Sequence, residues 1–173
     1  VTVTADWNNT VFEYKPGVSH EAGEGHNASD PVNVTSTLTV YPDLQVSGVT
    51  VTPANPQSSG NATITWNDVN SGNGPTSGSW NDRVLVVNTT TQQTLVNTTV
   101  SYSAASIAAG GSAARSYTFR LPDGDAGVGT LQVTVAADWN NSLFEYKTGV
   151  SHEAGEGNNA SDPLNVTSVL AVY

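Results

Sequence analysis

The stretch DWNNSLFEYKTGVSHEAGEGNNASD, from Asp138 to Asp162, has an earlier copy, DWNNTVFEYKPGVSHEAGEGHNASD, from Asp6 to Asp30. The duplication extends to both sides. Every position from Val1 to Tyr41 has a counterpart 132 residues later, between Val133 and Tyr173, and 33 of these 41 pairs are identical. The exceptions are mild: Thr4/Ala136, Thr10/Ser142, Val11/Leu143, Pro16/Thr148, His26/Asn158, Val32/Leu164, Thr37/Val169 and Thr39/Ala171. Self-similarity at a fixed period marks an array in which each period is one structural unit. The chain reads as one full period preceded by the closing piece of another, and as a fragment of something longer.

Composition narrows the function classes. Five Lys and Arg stand against fifteen Asp and Glu, a net charge of -10, which argues against nucleic acid and anionic membranes as partners. Only 12% of residues are charged, so solubility rests on Asn, Ser and Thr, a surface common in secreted, sugar-coated proteins. No Cys is present, so neither disulfides nor thiolate metal sites hold the fold. No signal peptide and no apolar run of about 18 residues appear.

Apolar residues alternate with period two throughout, and no segment sustains a helical period. Expected strands are Val1–Ala5, Val32–Val40, Leu44–Thr52, Ala62–Val69, Arg83–Asn88, Thr94–Tyr102, Ser116–Leu121, Gly129–Ala137 and Leu164–Val172. In the last, Leu164, Val166, Leu170 and Val172 share one face and Asn165 and Thr167 the other. Turn compositions separate the strands at residues 53–60, 70–75, 108–111 and 122–127. Seven strands from Leu44 onward have the number and spacing of an all-β, immunoglobulin-like sandwich. Residues 42–173 are then a complete module, and residues 1–41 the closing strand pair of a preceding one, joined through Tyr41-Pro42-Asp43. A lone hairpin is marginal in water. Its apolar residues Val1, Val3, Val32, Val34, Leu38 and Val40 must pack on the first five strands of a module. Those strands come either from upstream in a longer polypeptide or from another molecule, by strand donation.

LQVSGVTVTPANPQSSGNATITWNDVNSGNGPTSGSWNDRV, followed by an Ala-Gly turn and LPDGDAG, resembles the CARDB family, the cell-adhesion-related domain of large prokaryotic surface proteins. So does the ending, through Asp138, Asn140, Asn141, Glu145, Glu156, Asn158 and Asn159. The resemblance covers Asp43 to Tyr173 as a module and Val1 to Tyr41 as a module's end. It departs where ten residues, TyrLysThrGlyValSerHisGluAlaGly, lengthen the stretch between Glu145 and Glu156. It implies an immunoglobulin-like sandwich with a structural or adhesive role and no catalysis.

The repeated loop concentrates acids. Asp138, Glu145, Glu153, Glu156 and Asp162, with Asn140 and Asn158, are candidate ligands for calcium, which takes six to eight oxygens in loose geometry. Their counterparts are Asp6, Glu13, Glu21, Glu24 and Asp30. The alternative is that these acids cap turns through backbone N–H groups. HisGluAlaGlyGlu at 20–24 and 152–156 has the outline of the zinc motif HExxH but ends in Glu, and its Gly in a turn-rich loop argues against a helix. No nucleophile elbow is present, and paired carboxylates in one loop of a repeat make no case for an enzyme. Trp66, Trp80 and Tyr117 are expected in the core, whereas Trp7 and Trp139 sit at loop mouths. Asn-x-Ser/Thr occurs nine times, at Asn8, Asn27, Asn33, Asn61, Asn88, Asn97, Asn140, Asn159 and Asn165, where composition alone would give about four. Such density points to N-linked glycans on an extracellular chain, and an Asn bearing a sugar is a poor metal ligand.

These readings converge on an extracellular structural repeat of a prokaryotic cell surface, bacterial or archaeal. Its partner is itself, through neighbouring modules assembled end to end into a filament, stalk or surface layer. The alternative is a calcium-dependent carbohydrate- or cell-binding adhesin module.

Overall fold

A computed structural model describes residues 1–14, 16, 17, 25 and 27–171. The chain divides into two units, Val1–Thr39 and Val40–Tyr173. No helix among the described residues is long and apolar enough to cross a membrane.

The second unit is the expected sandwich. Its strands are β1 (Leu44–Thr52), β2 (Asn61–Asn70), β3 (Trp80–Asn88), β4 (Gln93–Tyr102), β5 (Ser112–Arg120), β6 (Gly129–Ala136) and β7 (Leu164–Ser168). They form an antiparallel three-stranded sheet in the order β1-β2-β5 and a four-stranded sheet in the order β4-β3-β6-β7. The period-two pattern fixes which residues face inward, since a slip of one residue would turn every apolar side chain to solvent. Ala62, Ile64 and Trp66 of β2 meet Val84 and Val86 of β3, Val96 of β4, and Leu131, Val133 and Val135 of β6 in one buried cluster. A second cluster closes one end of the sandwich: Leu44, Trp80, Tyr102, Ile107, Ala137 and Leu143. Trp80 and Tyr102 stack there with centroids 4.1 Å apart. At about 1.5–3 kcal/mol for each fully buried large side chain, these two clusters are the main favourable term.

Two expectations need correction. β7 ends at Ser168, short of Val172, because Val169 leaves the four-stranded sheet: its N–H donates to Pro56 O (3.0 Å) and its carbonyl accepts from Ser58 N (2.8 Å). Leu170 is consequently exposed instead of sharing the inward face, and Val172 lies outside the described residues. The segment His152–Glu156, where glycine argued against a helix, forms a short helix, α1. Ser151 Oγ accepts from Ala154 N (3.1 Å) at its start. Gly155 suits the site because a side chain there would meet the backbone nitrogens of Tyr146 and Lys147 at 3.0 Å.

The first unit has no regular strand among its described residues, although Val1–Ala5 and Val32–Val40 have strand sequences. Extended pairing survives in part: Val32 N donates to Val1 O (3.0 Å), Ser29 N to Val3 O (2.9 Å), and Thr4 bridges Ala28. Its Val1, Val3, Val32, Val34 and Leu38 are all exposed, as is Val40 where the second unit begins.

One charged group crosses the core of the sandwich. Arg115 of β5 sets its Nε 2.9 Å from Asp82 of β3 and 3.4 Å from Asp68 of β2, while its Nη2 donates to Val100 O (2.8 Å). Trp66 Nε1 donates to Asp68 (3.0 Å). Burial raises both carboxyl pKa values. Asp68 is pushed up to about 7, first by burial and then by the charge of Asp82, with Arg115 pulling the other way. The guanidinium therefore balances two acids in a dry place. Arg115→Ala is expected to destabilise the second unit by about 3–5 kcal/mol, because it leaves buried acids without a cation. Arg120→Ala, which removes only an exposed pair with Asp123, should cost no more than about 1 kcal/mol. Urea unfolding of both variants checks the contrast, and equal losses would contradict it.

Candidate functional site

The repeated loop organises itself from Asp138. This residue adopts φ 38° and Asn141 φ 49°, left-handed conformations that Asp and Asn tolerate better than most residues. The Asp138 carboxylate accepts from Ser142 N (2.9 Å), Ser142 Oγ (2.6 Å) and Leu143 N (2.8 Å). Ala137 N donates to Asn159 O (2.9 Å) and Ser161 N to Val135 O (2.8 Å), so the loop's two ends are tied together. Held this way, Leu143 enters the end cluster of the core.

The same framework stands in the first unit. Asp6 and Asn9 have φ 40° and 47°. Asp6 accepts from Thr10 N (2.9 Å), Thr10 Oγ1 (2.9 Å) and Val11 N (2.8 Å), and these backbone bonds hold its carboxyl below the usual range. Ala5 N donates to Asn27 O (2.8 Å). The loop's outline is thus local, written by one aspartate and its neighbours. Burial is what differs: Leu143 is 7% exposed and its counterpart Val11 59%.

In the second unit this loop grips the chain segment that enters the sandwich. Glu145, fully buried, accepts from Leu44 N (2.8 Å). The amide nitrogen of Asn159, oriented to satisfy its neighbours, donates to Leu44 O and Gly155 O, each at 2.9 Å. Tyr146 N donates to Pro42 O (2.9 Å), and Asn158 Nδ2 donates to Asp43 (3.0 Å). The Tyr41 ring lies 5.0 Å from Phe144 and 6.0 Å from Tyr146, and Phe144 stacks on His152 at 4.2 Å. On the opposite side, Tyr41 N donates to Asn73 Oδ1 (2.9 Å), and Tyr41 O accepts from Asn73 N and Gly74 N. A side chain at Gly72 or Gly74 would run into the backbone of residues 40–43 at under 3.0 Å. Residues 41–44 are therefore clamped within the second unit, to which Tyr41 belongs.

The calcium candidates divide: Asp138, Glu145 and Glu156 neighbour one another at the buried end of the loop, and Asn140, Glu153 and Asp162 lie apart from them at the surface. Asp138 and Glu145 are buried on backbone N–H groups, and Glu156 accepts from Glu145 N (3.0 Å). Asn140, Glu153 and Asp162 are exposed, as is Asp30, and Glu13 is half-buried. Glu21 and Glu24, and with them the first HisGluAlaGlyGlu, lie outside the described residues. Among the described residues no group of three or more His, Asp or Glu side chains is placed to hold a metal ion. The acids cap turns and clamp the joint.

The sequons also separate. Asn88 is buried, donating to Val128 O (2.9 Å) and accepting from Thr90 N (3.0 Å), and Asn159 is held as above, so neither amide in the folded module is open to a sugar. Asn8, Asn33, Asn61, Asn97, Asn140 and Asn165 are exposed and Asn27 half-buried. Trp66 and Trp80 are core residues, while Trp7 and Trp139 are exposed at 84% and 51%. The Arg83 guanidinium lies 4.1 Å over the Trp139 ring.

What the sequence did not reveal is the clamp. Its signals were present in the two glycines of SerGlyAsnGly and in the acidic loop, but their target, Tyr41 to Leu44, is about a hundred residues away from Glu145. Burial, then the nearby Glu156, Asp138 and Asp43 carboxyls, push Glu145 up to about 8 against the lowering effect of the Leu44 bond. An acid whose pKa folding raises binds its proton more tightly in the folded state. Its contribution is complete below about 4.5 and declines as pH rises towards 8. Glu145→Gln keeps an acceptor for Leu44 N and removes the titration. Its melting temperature should fall less between pH 5 and pH 9 than that of the parent chain, the remaining slope belonging to Asp68. Parallel curves would contradict the assignment.

The comparison with curated proteins returns no match. Among solved structures, the chain is similar to the solution structure of a CARDB domain from Pyrococcus furiosus, with 19% identity and TM-score 0.51 over 77% of this chain and all of that one. A crystal structure of the Pyrococcus furiosus CARDB domain, in complex with di-metal ions, gives 18% identity and TM-score 0.49 over 78% and all of that chain. A domain named as a cell surface protein of Methanosarcina acetivorans gives 22% and 0.44 over 74% of this chain and 92% of that one. The likeness to these structures is one of fold. The family model for CARDB matches residues 41–161, a span that includes the clamped joint, all six strands up to β6 and the repeated loop, and the chain belongs to the CARDB family.

Proposed function

We propose that this chain is an extracellular, N-glycosylated structural repeat that assembles end to end, each closing hairpin packing on the first strands of a module of its own kind. One observation carries the reading. Val133 and Val135 are 1% and 0% exposed where β1 to β5 accompany them, while the identical Val1 and Val3 are 78% and 67% exposed. The first unit already has the Asp6 turn and the Ala5–Asn27 tie that the second unit has at Asp138 and Ala137, while its Val1 and Val3 stay uncovered.

What covers this face is a set of strands like residues 44–120, because the second unit is a worked example of that fit. Val1 and Val3 would take the places of Val133 and Val135, and Val32 and Val34 those of the half-buried Leu164 and Val166. Leu38 contributes less, since its counterpart Leu170 is itself 52% exposed. Covalent continuity and donation between molecules use the same face. The clamp supports stiffness: a module whose entry segment is held by seven hydrogen bonds from Glu145, Asn159, Tyr146, Asn158, Asn73 and Gly74 transmits force directly into its core. Family membership and the density of sequons support a cell-surface setting.

Val3→Asp combined with Val34→Asp tests the reading. The double variant should keep the melting temperature of the second unit, since neither residue belongs to its core. It should lose end-to-end assembly, read as filaments or oligomers by electron microscopy and light scattering. Assembly undiminished by two charges on that face would sink the proposal.

A further inference from the structure

The exposed sequons are not equivalent, and one adjoins a cleft. Arg83, Asn97, Thr98, Thr99 and Trp139 line a recess of about 420 Å³ on the outer face of the four-stranded sheet. Three elements build it. Asn97 and Thr99 lie on β4, the edge strand, with Arg83 on β3 beside them and Trp139 just beyond the end of β6. Arg83 Nε donates to Asn97 Oδ1 (2.9 Å), and the same guanidinium lies over the indole. This bond fixes the Asn97 amide plane and leaves Nδ2 without a protein partner among the described residues. The Nη donors of Arg83 are likewise unengaged there. A guanidinium, the Thr99 hydroxyl and an aromatic ring suit the hydroxyls and the C–H face of a pyranose.

We propose that Asn97 carries an N-linked glycan whose first sugars seat in this cleft, against Trp139 and Arg83. The inference rests on the glycoprotein reading above and adds the site and the pose. In the attachment, the C1–O bond of a lipid-phosphate-linked glycan breaks and a C1–Nδ2 bond to Asn97 forms. The phosphate leaves with the bonding electron pair, and the amide proton goes to solvent. A sugar here also covers β4, whose outer edge would otherwise offer unpaired backbone groups to another sheet, so lateral pairing is blocked while the module ends stay open.

The test uses the full chain made in an N-glycosylating host, with Trp7→Phe so that Trp139 is the exposed tryptophan. Glycopeptide mass spectrometry should find Asn97 occupied. Thr99→Ala, which removes the sequon but keeps the Asn97–Arg83 bond, should lose that glycan and raise acrylamide quenching of Trp139 about twofold, as one face of the indole is uncovered. Thr99→Ser should restore both. A bare Asn97 beside occupied Asn61 or Asn165 overturns this site while leaving the glycoprotein reading intact, whereas nine bare sequons overturn both. An occupied Asn97 with unchanged quenching overturns the pose. Protection of Trp139 by free oligosaccharide in a parent chain whose Asn97 is itself bare would make the cleft a site for an exogenous carbohydrate and also overturn the proposal.

Discussion

A two-stranded hairpin has one apolar face and no second layer of its own, so whatever buries that face must come from elsewhere in the fold. In the second unit, β6 and β7 complete a four-stranded sheet, and Val133 and Val135 meet Ile64 and Trp66 across the sandwich. The first unit presents the same residues to solvent. At about 25 cal/mol for each Å² of apolar surface removed from water, several valines of this kind contribute a driving force comparable to a domain's net stability. The proposed end-to-end assembly answers that constraint.

The repeated loop has two separable layers of interaction. Asp6 and Asp138 shape it with bonds to residues four and five positions ahead, and that layer is complete in both copies. Glu145, Tyr146, Asn158 and Asn159 reach out of the loop to Pro42, Asp43 and Leu44, and that layer needs a module's entry strand. A preformed loop loses less conformational freedom when it closes on its target. Glu145 is held in its less favourable environment by this arrangement, with burial and three neighbouring carboxyls raising its pKa.

Much of the fold was legible in the sequence, because period-two alternation and turn composition are local. β1 matches its expected span, and the other strands of the sandwich overlap theirs, with shifts of a few residues at the ends. β7 escaped because Val169 trades one sheet for a bond to Pro56, a choice made by tertiary structure. The acidic loop was the harder case. Five carboxylates in one stretch suggest a cation, and nothing in their spacing tells that Glu145 will meet Leu44 N. Asn88 and Asn159 carry the sequon pattern, yet burial and paired amides remove them as acceptors in the folded module, which no triplet of residues can indicate. Asn97 became distinctive only when β3 and β6 placed Arg83 and Trp139 beside it.

Amide hydrogen exchange on assembled and dispersed material measures the central claim most directly, with residue-level readout at Val3, Ala5, Ser29 and Val34. In assembled material the account predicts protection of these amides approaching that of Val135, Ala137, Ser161 and Val166, with faster exchange at the first set in dispersed chains, least so at Ala5 and Ser29, which the hairpin already bonds, and little change at the second. Fast exchange at Val3 and Val34 in fully formed assemblies would contradict it, because the hairpin's apolar face would then remain uncovered where the account requires strands to lie against it.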